Sequence, residues 1–251
     1  MGQNGIEPLS TANLLGIEFI EIVAPSLDSV TPLLNQLGFT LSAKHRRKDV
    51  FLFRQNQLKI IINCSQDPAL QAYVADMGIA LFALAFKCDD ASAAHAELIK
   101  RGAWDSSNHS GPMEVNIPGI ESVGGTLIYL VDQVRDDLSV YDIDFKKIAA
   151  TENAHVSHTL DHYEEFTVQV DPDRAATWVT FFERLFGFQA VDSQCLQLPG
   201  QHSARLRFVE MAATQHDNEF FSNVTFKAGE HHPALLQTLA SDDRAFAIEV
   251  V

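Results

Sequence analysis

The sequence lacks a long apolar run and has few basic residues, and each shortage excludes a class of protein. No apolar stretch reaches the roughly 18 residues of a membrane-spanning helix, and Met1–Ala12 has neither the basic nor the apolar segment of a secretory signal. Lysine and arginine total 18 against 33 aspartates and glutamates, which gives a formal net charge of −15. Because this charge repels phosphate groups, we expect neither a nucleic acid nor a membrane as a partner.

Cysteine is also scarce. Cys64, Cys88 and Cys195 are widely spaced and odd in number, so we expect reduced, buried thiols and a cytoplasmic protein. Hydrophobic residues make up 46% and charged residues 20% of the 251 residues. This composition is ordinary for a globular chain of one large or two smaller domains.

One pattern occurs repeatedly along the chain: an alternating strand is followed by an apolar helix that ends at glycine. Three copies are present, at Gly16–Phe39, Leu81–Ala103 and Leu160–Phe188. A fourth copy begins at Asp242 and stops after its strand. Repeats of this size indicate duplicated supersecondary units.

The ends of two of these helices carry recognisable residues. In the second copy, Asp89 or Asp90 can cap the helix. In the third copy, Asp171 can cap the helix, Pro172 suits its first position and Gly187 ends it.

Alternation and turn residues predict the remaining elements. The predicted strands are Phe39–His45, Val50–Gln55, Leu58–Asn63, Glu114–Ile117, Thr126–Val131, Tyr141–Phe145, Phe188–Gln197, Ala204–Met211, Asn223–Lys227 and Arg244–Val251. The predicted short helices are Pro68–Ala75 and Pro233–Leu239.

These elements predict an α+β fold of repeated βαβββ modules. We expect a complete two-module domain over residues 14–133 and a linker with a short edge strand over residues 134–157. A shortened second domain is expected over residues 158–251, in which the third module runs to about Gly229 and includes the strand Asn223–Lys227.

Several separate strings occur in a fixed order, at Lys44–Asn63, Ala83–Ala94, Ile117–Asp132, Val140–Phe145, Leu160–Val170 and Trp178–Phe188. In this order they resemble the 4-hydroxyphenylpyruvate dioxygenase family, of the vicinal-oxygen-chelate superfamily that also contains glyoxalases and bleomycin-resistance proteins. The likeness covers roughly Gly16 to Val251 and is weaker after Phe188. It implies the glyoxalase-like fold and a C-terminally shortened member.

The resemblance also implies an activity. The family is a non-haem iron oxidoreductase of aromatic amino acid metabolism, which converts a 4-hydroxyphenyl 2-oxoacid and O₂ to homogentisate and CO₂. Its second domain holds Fe(II) through two histidines and one glutamate, leaving open positions for the oxoacid and O₂. By this resemblance the cofactor is Fe(II) and the partner is a small aromatic 2-oxoacid.

Only one of these ligands is matched directly, by His162. The family's second histidine lies in a Gln-His-aliphatic-Ala-Phe string on the first strand of the fourth module. There we align Arg244–Ile248, so that Ala245 takes the place of the histidine. The glutamate lies on a later strand, beyond the aligned segment.

Strand alternation offers substitute ligands. Glu164 shares the face of His162, and Glu249 shares the face of Ala245. His162 and Glu249 are therefore the candidate metal ligands, and we assign no catalytic and no cofactor-binding residue. A lone histidine is more often hydrogen-bonded to a neighbouring carbonyl or carboxylate than bound to a metal.

Two functions stay open at this point. The resemblance implies a metal-binding dioxygenase, whereas the incomplete ligand set favours a non-catalytic protein of dioxygenase ancestry that binds a small molecule or dimerises. An open second sheet, with Phe246 and Ile248 on one face of its final strand, also predicts a homodimer.

Overall fold

The protein forms two mixed β-sheets that carry helices. The structure, a computed structural model, describes residues 14–106, 115–133, 138–148, 159–212, 219–229, 235–238 and 246–251. The strands of the first sheet are β1 (Leu14–Val23), β2 (Thr40–His45), β3 (Val50–Gln55), β4 (Leu58–Asn63), β5 (Ala80–Cys88), β6 (Gly119–Glu121), β7 (Leu127–Val131) and β8 (Phe145–Lys147).

The second sheet contains β9 (Leu160–Val170), β10 (Gln189–Asp192), β11 (Cys195–Gln197), β12 (Arg205–Glu210), β13 (Phe220–Ala228), β14 (Leu235–Thr238) and β15 (Ala247–Val250). The helices are α1 (Thr31–Gln36), α2 (Pro68–Met77), α3 (Ala91–Lys100), α4 (Val140–Asp144) and α5 (Ala175–Phe186). None of these helices is long and apolar enough to cross a membrane.

The strand order confirms the repeated βαβββ module. In the first sheet, β1 lies parallel to β4, and β3 and β2 follow antiparallel. In the second sheet, β9 lies parallel to β12, and β11 and β10 follow antiparallel. Parallel strands need a crossover connection, and the helix after the first strand of each of these modules provides it.

The fourth module is larger than the sequence pattern predicts. Strand β13 pairs antiparallel with β9 as β5 does with β1, and β15 lies parallel to β13 as β7 does to β5. Strand β14 then pairs with β15 as β6 does with β7. The assignment of Asn223–Lys227 to the third module is therefore wrong, and so is a fourth module that begins at Asp242.

Four predicted elements differ from the structure, and one of them, the predicted strand Phe188–Gln197, is the antiparallel hairpin of β10 and β11. Tyr141–Phe145 is not a strand, because Ser139 and Asp142 form a reciprocal capping box that starts α4; the edge strand is β8. The first strand of the hairpin is β6; of the predicted strand Glu114–Ile117, the described residues 115–117 are not in a strand, and Glu114 lies outside the described residues. Within Pro233–Leu239, the described residues form strand β14 rather than a helix, because they pair with β15.

The helix ends are partly as predicted. Asp90 caps α3 by accepting a hydrogen bond from the Ala93 amide, and Gly187 ends α5 in the left-handed conformation at φ 71°. Asp171 does not cap α5. The chain first makes a turn through Asp173, at φ 63°, and the helix begins only at Ala175.

One hydrophobic core contains residues from both sheets and from the helices on them. The Phe86 ring of β5 lies 5.4 Å from the Phe188 ring, and the Phe39 ring lies 5.9 Å from that of Phe226 on β13. Phe246 and Ile248 are also buried here, at 1% and 0% exposure. The helix-bearing faces of the two sheets therefore share one interior. The domain boundaries given by the sequence stay predictions.

Close backbone contacts also join the two sheets. A Cβ atom added to Gly124, beside β7, would lie 1.6 Å from the carbonyl oxygen of Glu219, beside β13. A Cβ atom added to Gly200 would lie 3.0 Å from the Cα of Gly16. Only glycine permits these approaches.

The pair Gly124 and Gly125 allows this contact to be tested. Both have positive φ, at 62° and 75°, but a Cβ atom on Gly125 would meet nothing within 4 Å. We expect Gly125→Ala to cost about 1 kcal/mol, which is the conformational penalty alone. Gly124→Ala should cost at least about 2 kcal/mol more, because the backbone at Glu219 must move. Urea unfolding measures both values, and equal losses would contradict the contact.

The homodimer stays a prediction. The outer strands β10 and β14 of the second sheet leave backbone groups available for pairing with another chain. Phe246 cannot serve the interface, because it is buried in the core of its own chain. We expect sedimentation at micromolar concentration to give about twice the mass of one chain. The mass of a single chain at that concentration would contradict the prediction.

Candidate metal-binding site

The face of the second sheet that points away from the helices is polar. Along β9, Phe166 and Val168 are buried in the core, while Thr167 and Gln169 alternate with them and are half-buried. Directly paired residues on neighbouring strands point to the same face. Arg205 of β12, Glu165, Thr225 of β13 and Glu249 of β15 form such a row across the sheet.

Glu249 lies in a small hydrogen-bonded group. Thr225 Oγ1 donates to Glu249 Oε2 at 3.3 Å, and Asn223 Nδ2 donates to the same oxygen at 3.4 Å. Asn223 Nδ2 also donates to Thr225 Oγ1 at 2.9 Å. The amide oxygen of Asn223 is buried and has no hydrogen-bond partner in the described part of the chain. It is therefore an acceptor that a donor or a cation could satisfy.

His162 lies in a second polar group on β9. Its Nε2 is 3.2 Å from Glu164 Oε2, and its Nδ1 is 3.2 Å from Asp161 Oδ2. Its ring stacks on the ring of His202, with 4.3 Å between centroids. Ligand atoms of Asp161, His162 and His202 lie within 4.8 Å of one another. His202 has no signal in the sequence, because it comes from the loop between β11 and β12.

The two groups share a face but are separated along it. His162 pairs with Lys227, and Thr225, two residues earlier on β13, pairs with Glu249. With roughly 3.3 Å per residue and 4.8 Å between strands, the Cα atoms of His162 and Glu249 are about 12 Å apart. Among the described residues, Glu249 does not belong to the group of Asp161, His162 and His202 whose ligand atoms lie close together, so a metal shared by His162 and Glu249 would require both side chains to turn towards Thr225. Asn223 is level with Thr167, farther along the sheet from His162.

The strand order changes which residue of this chain corresponds to the family's second histidine. Since β13 is the first strand of the fourth module, the matching string is Ser222–Phe226, with Asn223 at the histidine. Ala245 is therefore not the counterpart, and Arg244 and Ala245 lie outside the described residues. Glu249 lies on β15, a later strand of that module.

The cysteines are buried, as expected, and have no role at this site. Burial raises the pKa of Cys64 to about 11 and that of Cys88 to about 12. Desolvation also raises the pKa of Cys195. Thiols protonated at neutral pH are poor nucleophiles and poor metal ligands.

Sequence comparison identifies relatives. The family model for the N-terminal domain of hydroxyphenylpyruvate dioxygenase matches residues 8–146. A 4-hydroxyphenylpyruvate dioxygenase of Pseudomonas sp. strain P.J. 874 is 34% identical over 178 residues, which are 71% of this chain and 50% of the relative. That of Pseudomonas aeruginosa is 36% identical over 179 residues, 70% of this chain and 50% of the relative. The chain thus spans about half the length of these curated relatives.

Structural comparison supports the fold. A fusion protein of a xylose isomerase-like TIM barrel and 4-hydroxyphenylpyruvate dioxygenase superposes with a TM-score of 0.71 and 23% identity. The match covers 90% of this chain and 38% of the fusion protein. The repeated-module fold predicted from the sequence is therefore confirmed.

Proposed function

The chain belongs to the hydroxyphenylpyruvate dioxygenase family, and we propose that it is a metal-dependent enzyme acting on a 4-hydroxyphenyl 2-oxoacid. His162 and Glu249 are the proposed ligands of Fe(II), the cofactor of the family. One observation carries the proposal: Glu249 lies on a late strand of the fourth module and accepts a hydrogen bond from Asn223, whose buried amide oxygen has no partner among the residues that the structure describes. The family's carboxylate ligand is expected on such a strand.

The donor set fits a divalent cation. An imidazole, a carboxylate and an amide oxygen are all ligands that such ions accept, and Glu164 adds a further carboxylate 3.2 Å from His162. When bound, Fe(II) supplies the open coordination positions that bring the oxoacid and O₂ together. Asn223 and Thr225 orient Glu249 through their hydrogen bonds, as outer-shell residues do at metal sites.

Positive charge beside the site suits an anionic substrate. Lys227 is exposed and pairs with His162 across β9 and β13, so its ammonium group can attract the carboxylate of a 2-oxoacid. Arg207 is level with Thr167 and Asn223 on the sheet, and its Nε already donates to Glu165 Oε1 at 3.0 Å. Lys227 is therefore our choice for the residue that binds the substrate carboxylate.

Asn223 also supports a second candidate function, a non-catalytic protein that binds the metal or the oxoacid. An amide oxygen binds Fe(II) more weakly than an imidazole does, because imidazole suits iron and amide oxygens suit harder ions. We therefore expect weak metal binding and slow formation of homogentisate in the wild-type chain, whereas the second candidate function predicts no homogentisate. The two candidates differ in turnover and share the metal site.

Metal binding tests the proposed ligands directly. We expect His162→Ala and Glu249→Gln each to weaken binding of Co²⁺ or Fe²⁺ at least about tenfold, since each removes one of few ligands. Glu183→Gln on the surface of α5 is the matched control and should leave the affinity unchanged. Anaerobic calorimetric titration measures the dissociation constants, and equal values for all four proteins would remove the basis of the proposal.

Restoring an imidazole tests the role of Asn223. We expect Asn223→His to tighten Fe²⁺ binding at least about tenfold and to raise homogentisate formation from 4-hydroxyphenylpyruvate with Fe²⁺ and ascorbate. The double variant Asn223→His with His162→Ala should lose both gains. Chromatographic detection of homogentisate provides the readout. An Asn223→His protein that binds Fe²⁺ no more tightly than the wild type would show that residue 223 lies outside the site.

A further inference from the structure

A cavity of about 160 Å³ lies on the first sheet, and its lining contains none of the residues proposed to bind metal. Its floor is formed by β1, β3 and β4, and its cover by α4 and the segment 115–118. Its walls are largely aromatic and aliphatic, and include Phe19, Tyr129, Tyr141 and Phe145. A cavity of roughly 150 Å³ with apolar walls holds one benzene ring. The space therefore fits a single-ring molecule.

The position of the cavity follows from the duplication of the fold. Along β1, Ile20 and Ile22 point into the core shared with the helices, while Phe19 belongs to a separate cluster on the other face. On β9, which is the counterpart of β1 in the second sheet, the face away from the core is the polar one. The cavity thus occupies on the first sheet the place that the metal-binding face occupies on the second.

A buried carboxyl group distinguishes this cavity from a packing defect. Glu21 lines it and is 6% exposed, and Asn63 Nδ2 donates to its Oε1 at 2.8 Å. Within the described ranges, this is the one hydrogen bond to the carboxyl group. Burial raises the pKa of Glu21, while the bond from Asn63 and the charge of Lys48 lower it. If this position served packing alone, an apolar side chain would fill it at a lower cost in free energy than a buried carboxyl group.

The charges around the cavity favour a neutral ligand. Lys48 lies at the exposed rim and already acts on Glu21, so a second cation is not required to balance the carboxyl group. An anion would meet both Glu21 and the buried Asp144. A neutral ring with one hydroxyl group satisfies the aromatic walls and donates a hydrogen bond to the carboxyl oxygen.

We infer that this cavity binds a single-ring phenol, with the ring against Phe19, Tyr129 and Phe145 and the hydroxyl group donating to Glu21. Nothing in the proposed metal chemistry requires this site, because it lies on the other sheet. Phenol itself is the probe. Toluene, which has the ring without a donor, and benzoate, which is an anionic acceptor, are the matched ligands.

Titration of the full-length chain by calorimetry or ligand-observed NMR, with EDTA present, tests the inference. We expect phenol to bind at least about tenfold more tightly than toluene or benzoate, since only phenol can donate to the carboxyl group. Glu21→Gln keeps the size of the side chain and should weaken phenol binding at least about fivefold, because an NH₂ donor replaces one of the two carboxyl oxygens that can accept from the phenol. Glu97→Gln on α3 is the control.

A steric variant gives a test that does not depend on Glu21. Ile117 is half-buried at the cover, so Ile117→Trp should fill the mouth and abolish phenol binding while thermal unfolding changes little. The inference is overturned if toluene binds as tightly as phenol, or if Glu21→Gln and Ile117→Trp both bind phenol like the wild type. Loss of phenol binding in Glu249→Gln would also overturn it, because it would place the ligand on the second sheet.

Discussion

The structure depends on one shared apolar interior, in which the helix-bearing faces of both sheets are buried together. Phe86 on β5 contacts Phe186 and Phe188 from the end of α5, so aromatic rings from the two halves pack directly against each other. Because burial of apolar area is the main favourable contribution to folding, these faces are committed to stability. Functional side chains can therefore lie only on the opposite faces of the sheets, and both candidate sites lie on those faces.

The two opposite faces have diverged in composition although their strand order is alike. On the first sheet, α4 and the segment 115–118 cover the face, and two buried acids, Glu21 and Asp144, line the cavity together with aromatic side chains. On the second sheet, the face carries His162, Glu165, Thr225 and Glu249. A half-open pocket with aromatic walls and a buried carboxyl group suits a ring that carries a hydrogen-bond donor, whereas a face with many carboxylates and an imidazole attracts cations. One architecture thus presents two kinds of site.

Local patterns predicted the elements whose causes are local. The strands Val50–Gln55 and Leu58–Asn63 follow from alternation and short turns, and Gly187 ends α5 because it adopts a left-handed conformation. The partner of a strand is not local. Nothing near Asn223–Lys227 indicates that β13 pairs with β9, so its module was assigned wrongly. The contact of His162 with His202 likewise depends on a loop about forty residues away in the chain.

The same limit affected the choice of Glu249 as a ligand candidate. Glu249 was selected for sharing a face with Ala245, but its relevance comes from the pairing of β15 with β13, which places it beside Thr225 and Asn223. Under the proposed function, Asn223 would have two opposing effects there. Its amide nitrogen donates to Glu249 and would orient this carboxylate as a ligand, while an amide stands where the family has an imidazole. A histidine at position 223 would reverse both effects, so the proposal assigns the strength of metal binding largely to this one side chain.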